Sequence, residues 1–153
     1  MLSAPPAAKT PRQRWMAVLA RGPAEAIAHA LPPPDAMPDW HRLRGPETGL
    51  VMLRARAGGS GAPFHLGEVT VTRCTLRLAG GPVGHATVMG RAPRHAELAA
   101  LADALLQDPA RHAALHAGLI APLAAAQEAA REAIAARAAA TKVEFFALQT
   151  MLT

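Results

Sequence analysis

The sequence predicts an α+β protein. A small antiparallel, meander-like sheet lies in the middle of the chain, between N-terminal helices and a long C-terminal helical region. Three observations predict this class. Short runs rich in threonine, valine and leucine fill the middle third and are separated by glycine-rich turns. Apolar residues on both sides recur with helical spacing. The run 124–140 consists largely of alanine and charged residues, a composition with high helix propensity.

Composition limits the size of the core. The chain has 153 residues, and 51% of them are hydrophobic, but aromatics make up only 3%. Much of the hydrophobic content is alanine, which buries little area, so the predicted core is thin for its length. We therefore expect the protein to depend on a partner chain for part of its stability. We also expect a disordered leader over 1–9 and one domain over 10–153.

Charge and cysteine content narrow the function classes. The formal net charge is +5, but the arginines are scattered, with no basic run and no interleaved aromatics. We expect no nucleic-acid partner, although a basic nucleic-acid-binding module remains the alternative. The single cysteine, Cys74, excludes an internal disulfide and a cysteine-rich metal site. The chain shows no signal peptide and no apolar stretch of about 20 residues, so we expect no membrane partner and a cytoplasmic location.

The N-terminal region carries clear helix-start signals. Thr10 is a suitable N-cap, Pro11 suits the first helical position, and Gln13 completes a capping box. Gly22 can end this helix. A second, short helix is predicted over 23–31.

The middle third contains the predicted strands. They are expected at 40–44, 50–57, 68–78 and 83–91. Gly58-Gly59-Ser60-Gly61 is predicted to form a turn or a flexible loop between the second and third strands. In the third strand the apolar positions change phase between Val71 and Cys74, which predicts a bulge or a strand bend near Thr72-Arg73.

The remainder is predicted to be helical. Pro93 opens one helix, Asp108-Pro109 starts another, and Pro122 introduces a last long helix to about Leu148. Large apolar residues are concentrated near the end of that helix, and these predicted partner-docking residues are Val143, Phe145 and Phe146. Two hypotheses remain for this last helix: it docks as an arm on another chain, or it folds back and closes the core.

No complete catalytic or metal motif is present. His95-Ala96-Glu97 is similar to the His-x-Glu of zinc deaminases, but the required downstream cysteines are missing. His112 and His116 are four residues apart, a spacing that can bind a metal ion on one helix face, but no third ligand is evident. The sequence therefore does not favour an autonomous metalloenzyme. The glycine-rich loop lacks the lysine of a P-loop. We therefore assign no catalytic residue and no metal site to this chain.

Several charged residues lie on or beside the predicted strands. Arginines there can bind carboxylate or phosphate, but structural salt bridges are the more common use of such residues. The candidates for anion-binding or interface residues are Arg56, Arg73, Arg91, His95 and Glu97.

Short motifs follow one another in a definite order along most of the chain. They are Arg14-Trp15-Met16, Glu47-Thr48-Gly49-Leu50-Val51, Gly58-Gly59-Ser60-Gly61, Thr72-Arg73, Gly90-Arg91, His95-Ala96-Glu97, Leu119-Ile120-Ala121-Pro122-Leu123 and Val143-Glu144-Phe145-Phe146. Each motif is unspecific alone. Their order and spacing from Arg12 to Phe146 resemble the PhnG family, a subunit of the bacterial carbon–phosphorus lyase system.

The resemblance implies a role in phosphonate catabolism. It implies PhnI, PhnH and PhnJ partners in a core complex, with two copies of this chain, and PhnL in the reaction. That complex displaces adenine from MgATP by an alkylphosphonate and forms a ribose 1-phosphonate 5-triphosphate. The resemblance also implies that this subunit binds no cofactor and carries no catalytic residues of its own, MgATP being the substrate of the complex.

Overall fold

A computed structural model describes residues 8–57 and 61–141. Three consecutive strands form one antiparallel sheet in the order β1-β2-β3, with helices before and after it. The elements in chain order are α1 (Pro11–Leu19), α2 (Ala24–Ala30), β1 (Trp40–Arg56), β2 (Pro63–Leu78), β3 (Val83–Met89), α3 (Pro93–Leu106), α4 (Pro109–Leu115), a π-helical turn (His116–Ile120) and α5 (Ala121–Ala140). The predicted α+β class is confirmed. The predicted leader falls almost wholly outside the described residues.

Helix α1 begins where its capping signals predict. The Thr10 hydroxyl accepts a hydrogen bond of 3.2 Å from the Gln13 backbone N–H, and the Gln13 side chain accepts one of 2.9 Å from the Thr10 N–H. Pro11 occupies the first turn, where its missing N–H costs nothing. Trp15 and Leu19 are buried and fix the helix on the core.

Strand β1 is a single long strand, so the prediction of two strands there is wrong. Arg44 pairs with Thr75, but Glu47 pairs with Arg73, which leaves one extra residue in β1. Gly45 absorbs the irregularity with a φ of 70°. The strand continues because β1 lies at the sheet edge, where Pro46 removes no interior hydrogen bond, and because β2 pairs along its whole length.

Strand β2 has no bulge near Thr72-Arg73, so the bulge predicted there is wrong. Its pairing with β3 runs without a shift from Val71 to Arg77. Thr72, Cys74 and the leucines that follow alternate regularly onto the buried face. The sequence suggested a change of phase because Val71 and Cys74 lie on opposite faces, yet Val71 and Thr72 are both buried, one on each face of a regular strand.

Helix α3 covers one face of the sheet and forms the centre of the core. Helical spacing predicts that Leu98, Leu101, Ala102, Leu105 and Leu106 face inward, and all of them are buried except Leu98, which is half-buried. Alanines fill the remaining inward positions of the helix, which brings its backbone close to Gly84 of β3. A thin core is therefore packed by close approach of backbones rather than by large side chains.

A buried carboxylate joins α1, β3 and α3. Asp103 is fully buried and accepts hydrogen bonds from Arg12 Nη2 at 2.7 Å, Trp15 Nε1 at 2.8 Å and the His85 backbone N–H at 2.9 Å. The hydrogen bond to Asp103 raises the pKa of Arg12 and outweighs the opposing effect of burial. Because its donors surround it, this charge costs less to bury than an isolated one.

The C-terminal helices follow one another almost without interruption. Asp108 caps α4 by accepting a hydrogen bond of 2.9 Å from the Ala110 N–H. The sequence predicted that a new helix starts at this point. The expected separation before Pro122 is absent, because a π-helical turn carries the chain into α5. Such a wider turn accommodates a proline, whose ring would otherwise clash with the carbonyl four residues earlier.

Helix α5 leaves the body of the protein after its first two turns. Gln127 donates a hydrogen bond of 2.9 Å to the Val18 carbonyl, and every residue from 128 to 141 is exposed. This described part of the helix does not fold back onto the core. The predicted docking residues Val143, Phe145 and Phe146 lie outside the described residues, so their role stays a prediction. No helix within the described ranges is both long and apolar enough to cross a bilayer.

Candidate functional site: the open sheet face and the hairpin arm

The sheet has one covered face and one open face. Helix α3 covers the face that carries Cys74 and Leu76. On the opposite face, called the open face below, register alignment forms two neighbouring rows of polar residues. One row is Arg44, Thr75 and His85, and the other is Glu47, Arg73 and Thr87.

The two rows line a shallow pocket of about 150 Å³. The Thr75 hydroxyl and His85 Nδ1 share a hydrogen bond of 3.1 Å, and Arg44 pairs with Glu47 at 2.7 Å. Arg73 is exposed, and within the described part of the chain it has no hydrogen bond or ion pair. The pocket therefore combines two guanidinium groups with one carboxylate.

Beyond the end of β3, the first two strands continue as a two-stranded hairpin, called the hairpin arm (49–56 and 63–70). Its large apolar side chains are exposed, with Leu50 at 58%, Met52 at 52% and Phe64 at 45%. An isolated two-stranded ribbon is marginally stable in water, and contiguous exposed apolar residues mark a binding surface. The arm is thus a candidate surface for binding another molecule.

The structure separates the three candidate arginines. Arg73 lies on the open face, while Arg56 lies in the hairpin arm and donates a hydrogen bond of 3.1 Å to the Gly61 carbonyl. Arg91 is exposed in the turn after β3, and among the described residues it forms no ion pair. Gly58-Gly59-Ser60, the predicted turn beside Arg56, lies outside the described residues.

His95 and Glu97 do not contact the three candidate arginines. They connect other elements on the covered side of the sheet. His95 Nε2 forms a hydrogen bond of 2.8 Å with the Leu19 carbonyl at the end of α1. Glu97 accepts a hydrogen bond of 2.7 Å from Arg42 Nε, which ties α3 to β1. The five candidates do not form one cluster, and their use in anion binding or in an interface stays a prediction.

Two of the sequence motifs are parts of one local structure. The buried Thr72 hydroxyl donates a hydrogen bond of 2.7 Å to the Gly90 carbonyl and accepts one of 3.0 Å from the Ala92 N–H. Gly90 has a φ of 82°, which favours glycine at this turn. Thr72 therefore fixes the turn that presents Arg91.

Sequence reasoning missed Thr75, His85 and Thr87 as members of the open face. The available signal was alternation, since Arg73-x-Thr75 and His85-x-Thr87 lie on neighbouring strands with matching period. Their alignment depends on register, which the wrong bulge prediction obscured.

The remaining candidate chemistry has structural uses. Burial raises the pKa of the Cys74 thiol, and nearby Glu97 raises it further, so the reactive thiolate is disfavoured. His112 Nδ1 donates a hydrogen bond of 2.7 Å to the Leu106 carbonyl, and its ring lies 5.7 Å from that of His116. Within the described ranges, no three metal-binding side chains come together.

Fold and site together define a small α+β protein with an open polar sheet face and an exposed apolar hairpin arm. The chain belongs to the PhnG family, because the family model described as "Phosphonate metabolism protein PhnG" matches residues 10–150. A Rhizobium meliloti (strain 1021) protein, alpha-D-ribose 1-methylphosphonate 5-triphosphate synthase subunit PhnG, is 42% identical over 137 residues. That alignment covers 90% of this chain and 87% of the relative. The resemblance seen in the sequence is confirmed.

Proposed function

We propose that this chain is a subunit of a ribose 1-methylphosphonate 5-triphosphate synthase complex that acts in the cytoplasm. The observation that carries the proposal is the 42% identity to a protein of that name over 90% of the chain. The chain supplies binding surfaces to the complex, and its partners supply the chemistry.

The proposed reaction joins an alkylphosphonate to the ribose of MgATP. A phosphonate oxygen forms a bond to ribose C1, the bond from C1 to the adenine nitrogen breaks, and the phosphonate monoanion's proton goes to the leaving adenine. The product is a ribose 1-phosphonate 5-triphosphate. MgATP is the substrate of the complex, and this chain holds no cofactor for the step.

The proposed partners are PhnI-, PhnH- and PhnJ-type subunits, with two copies of this chain in the assembly and PhnL taking part in the reaction. Exposed Leu50, Met52 and Leu66 of the hairpin arm support a role in assembly, because they are poorly covered by the chain itself. The projecting part of α5 supports it in the same way, since it has no buried residue. Val143, Phe145 and Phe146 extend this second surface in the proposal.

Co-expression tests the proposal directly. The full-length chain, tagged and produced with PhnI-, PhnH- and PhnJ-type partners, should purify as one complex of constant stoichiometry. A strain lacking the chain should lose growth on methylphosphonate as the sole phosphorus source and recover it with the gene restored. Growth on inorganic phosphate is the control. A chain that purifies alone, or a deletion strain that still grows on methylphosphonate, would contradict the proposal.

A further inference from the structure

The open face brings hydrogen-bond donors toward one small concave site. Arg73 is in register with Glu47 on one side and Thr87 on the other. Its guanidinium group carries five N–H donors, and no partner among the described residues occupies them. Neighbouring strands stand about 5 Å apart, so donors from adjacent rows can reach the same ligand.

The second row adds donors to the same pocket. Thr75 engages only Nδ1 of His85, so Nε2 of that ring is available for a ligand. Arg44 is paired with Glu47, but both side chains are exposed, and such a pair is weak enough to be shared with a ligand. Since Glu47 bonds to Arg44, Arg73 has no ion pair among the described residues.

The strand behind this pocket is held in place by the core. The backbone N–H of His85 donates to buried Asp103, which is fixed in turn by Arg12 and Trp15. Strand β2, which carries Arg73 and Thr75, is the central strand and is paired on both sides. Donors on rigid strands keep their geometry without a ligand, which lowers the entropy cost of binding one.

We propose that this pocket binds one tetrahedral –PO₃ group, through Arg73, Arg44, His85 and Thr87. A pocket of about 150 Å³ suits one such group rather than a whole nucleotide. Guanidinium groups with a hydroxyl and an imidazole match its several acceptor oxygens. The choice of ligand rests on the proposed function: the group belongs to the phosphonate itself or to the end of the triphosphate chain.

Amide chemical shifts of the full-length protein test the site. The protein alone is titrated with methylphosphonate, inorganic phosphate or magnesium-free ATP, each against sodium chloride at equal ionic strength. We expect saturable shifts at Arg73, Thr75 and Thr87. The phosphonate source predicts tighter binding of methylphosphonate, whereas the triphosphate source predicts tighter binding of ATP.

Two substitutions with opposite expected effects on anion affinity make the test more specific. Arg73→Met should weaken binding at least about tenfold, because it removes a charge-assisted hydrogen-bond donor of the pocket. Glu47→Gln should tighten binding, because it removes the one carboxylate of the pocket. Arg54→Met, an exposed strand arginine in the hairpin arm, is the matched control and should change nothing.

Unsaturable shifts with every ligand, equal affinity in the Arg73→Met protein, or weaker binding after Glu47→Gln would each overturn the site. If Arg73→Met abolishes co-purification while the wild-type chain binds no anion, the open face is a protein interface and the site is likewise overturned. Co-purification is measured separately. Failure of the anion site with intact assembly leaves the proposed function standing, and anion binding without assembly leaves the site standing.

Discussion

Gly84 of β3 lies so close to α3 that a methyl group added to it would be 1.9 Å from the carbonyl oxygen of Ala100. The same methyl group would be 2.8 Å from the Ala104 side chain. Helix and strand therefore meet almost backbone to backbone. The alanines of α3 are consequently a packing requirement, because larger side chains would separate the helix from the sheet.

Gly84→Ala should destabilise the protein by about 3 kcal/mol or prevent folding, since backbone cannot yield as a flexible side chain can. Urea unfolding of the full-length chain measures the loss. Gly67→Ala is the control, because a methyl group there meets nothing within 4 Å. A Gly84→Ala protein as stable as the control would show that α3 does not pack this closely.

Asp103→Asn should lower the free energy of unfolding by about 3 kcal/mol, because it leaves Arg12 without its counter-charge and places an amide among donors. Thermal and urea unfolding report the change. Glu128→Gln, which removes an exposed ion pair with Arg131, should cost under about 0.5 kcal/mol. Equal effects of the two substitutions would contradict the role of Asp103 as a buried junction.

Cys74 should make the free energy of unfolding fall at alkaline pH. Burial raises the pKa of its thiol in the folded state, so the unfolded chain loses this proton first as the pH passes about 8.5. The stabilising contribution is complete below that pH and is lost as the pH rises through the folded-state pKa. Cys74→Ala should flatten the slope of unfolding free energy against pH above about 8.5; an unchanged slope would refute the assignment.

The hairpin arm should matter for assembly and little for folding. Replacing Leu50 and Met52 together by glutamine removes two exposed apolar side chains, each contributing at least about 1.5 kcal/mol when buried. We expect the affinity for the partner subunits to fall about 100-fold with an unchanged melting temperature of the free chain. Leu43→Gln, also exposed but outside the arm, is the matched control. Full affinity of the double variant would exclude the arm from the interface.

The elements with local signals were predicted well. Thr10, Pro11 and Gln13 specify the start of α1 through a capping box that involves only neighbouring residues. The leucines of α3 specify its inward face by spacing alone. Both signals operate over a few residues, so a single sequence contains all the information that they need.

The antiparallel sheet was predicted, but three of its details that depend on distant partners were not. Gly45-Pro46 resembles a strand break, yet pairing with β2 carries β1 through it. Polar Thr72 resembles a solvent-facing residue, yet the turn at Gly90 satisfies its hydroxyl. The open face escaped detection for the same reason, because its rows exist only once three strands are in register.

The hairpin arm should also affect how fast the chain is degraded in the cell. Until a partner covers it, a newly made copy presents an extended strand edge and exposed apolar side chains, which proteases and chaperones recognise. We expect orphan copies to be degraded sooner than assembled ones, so the amount of this chain follows the supply of its partners. In the proposed complex, the same surface would then also keep the amounts of the subunits in balance.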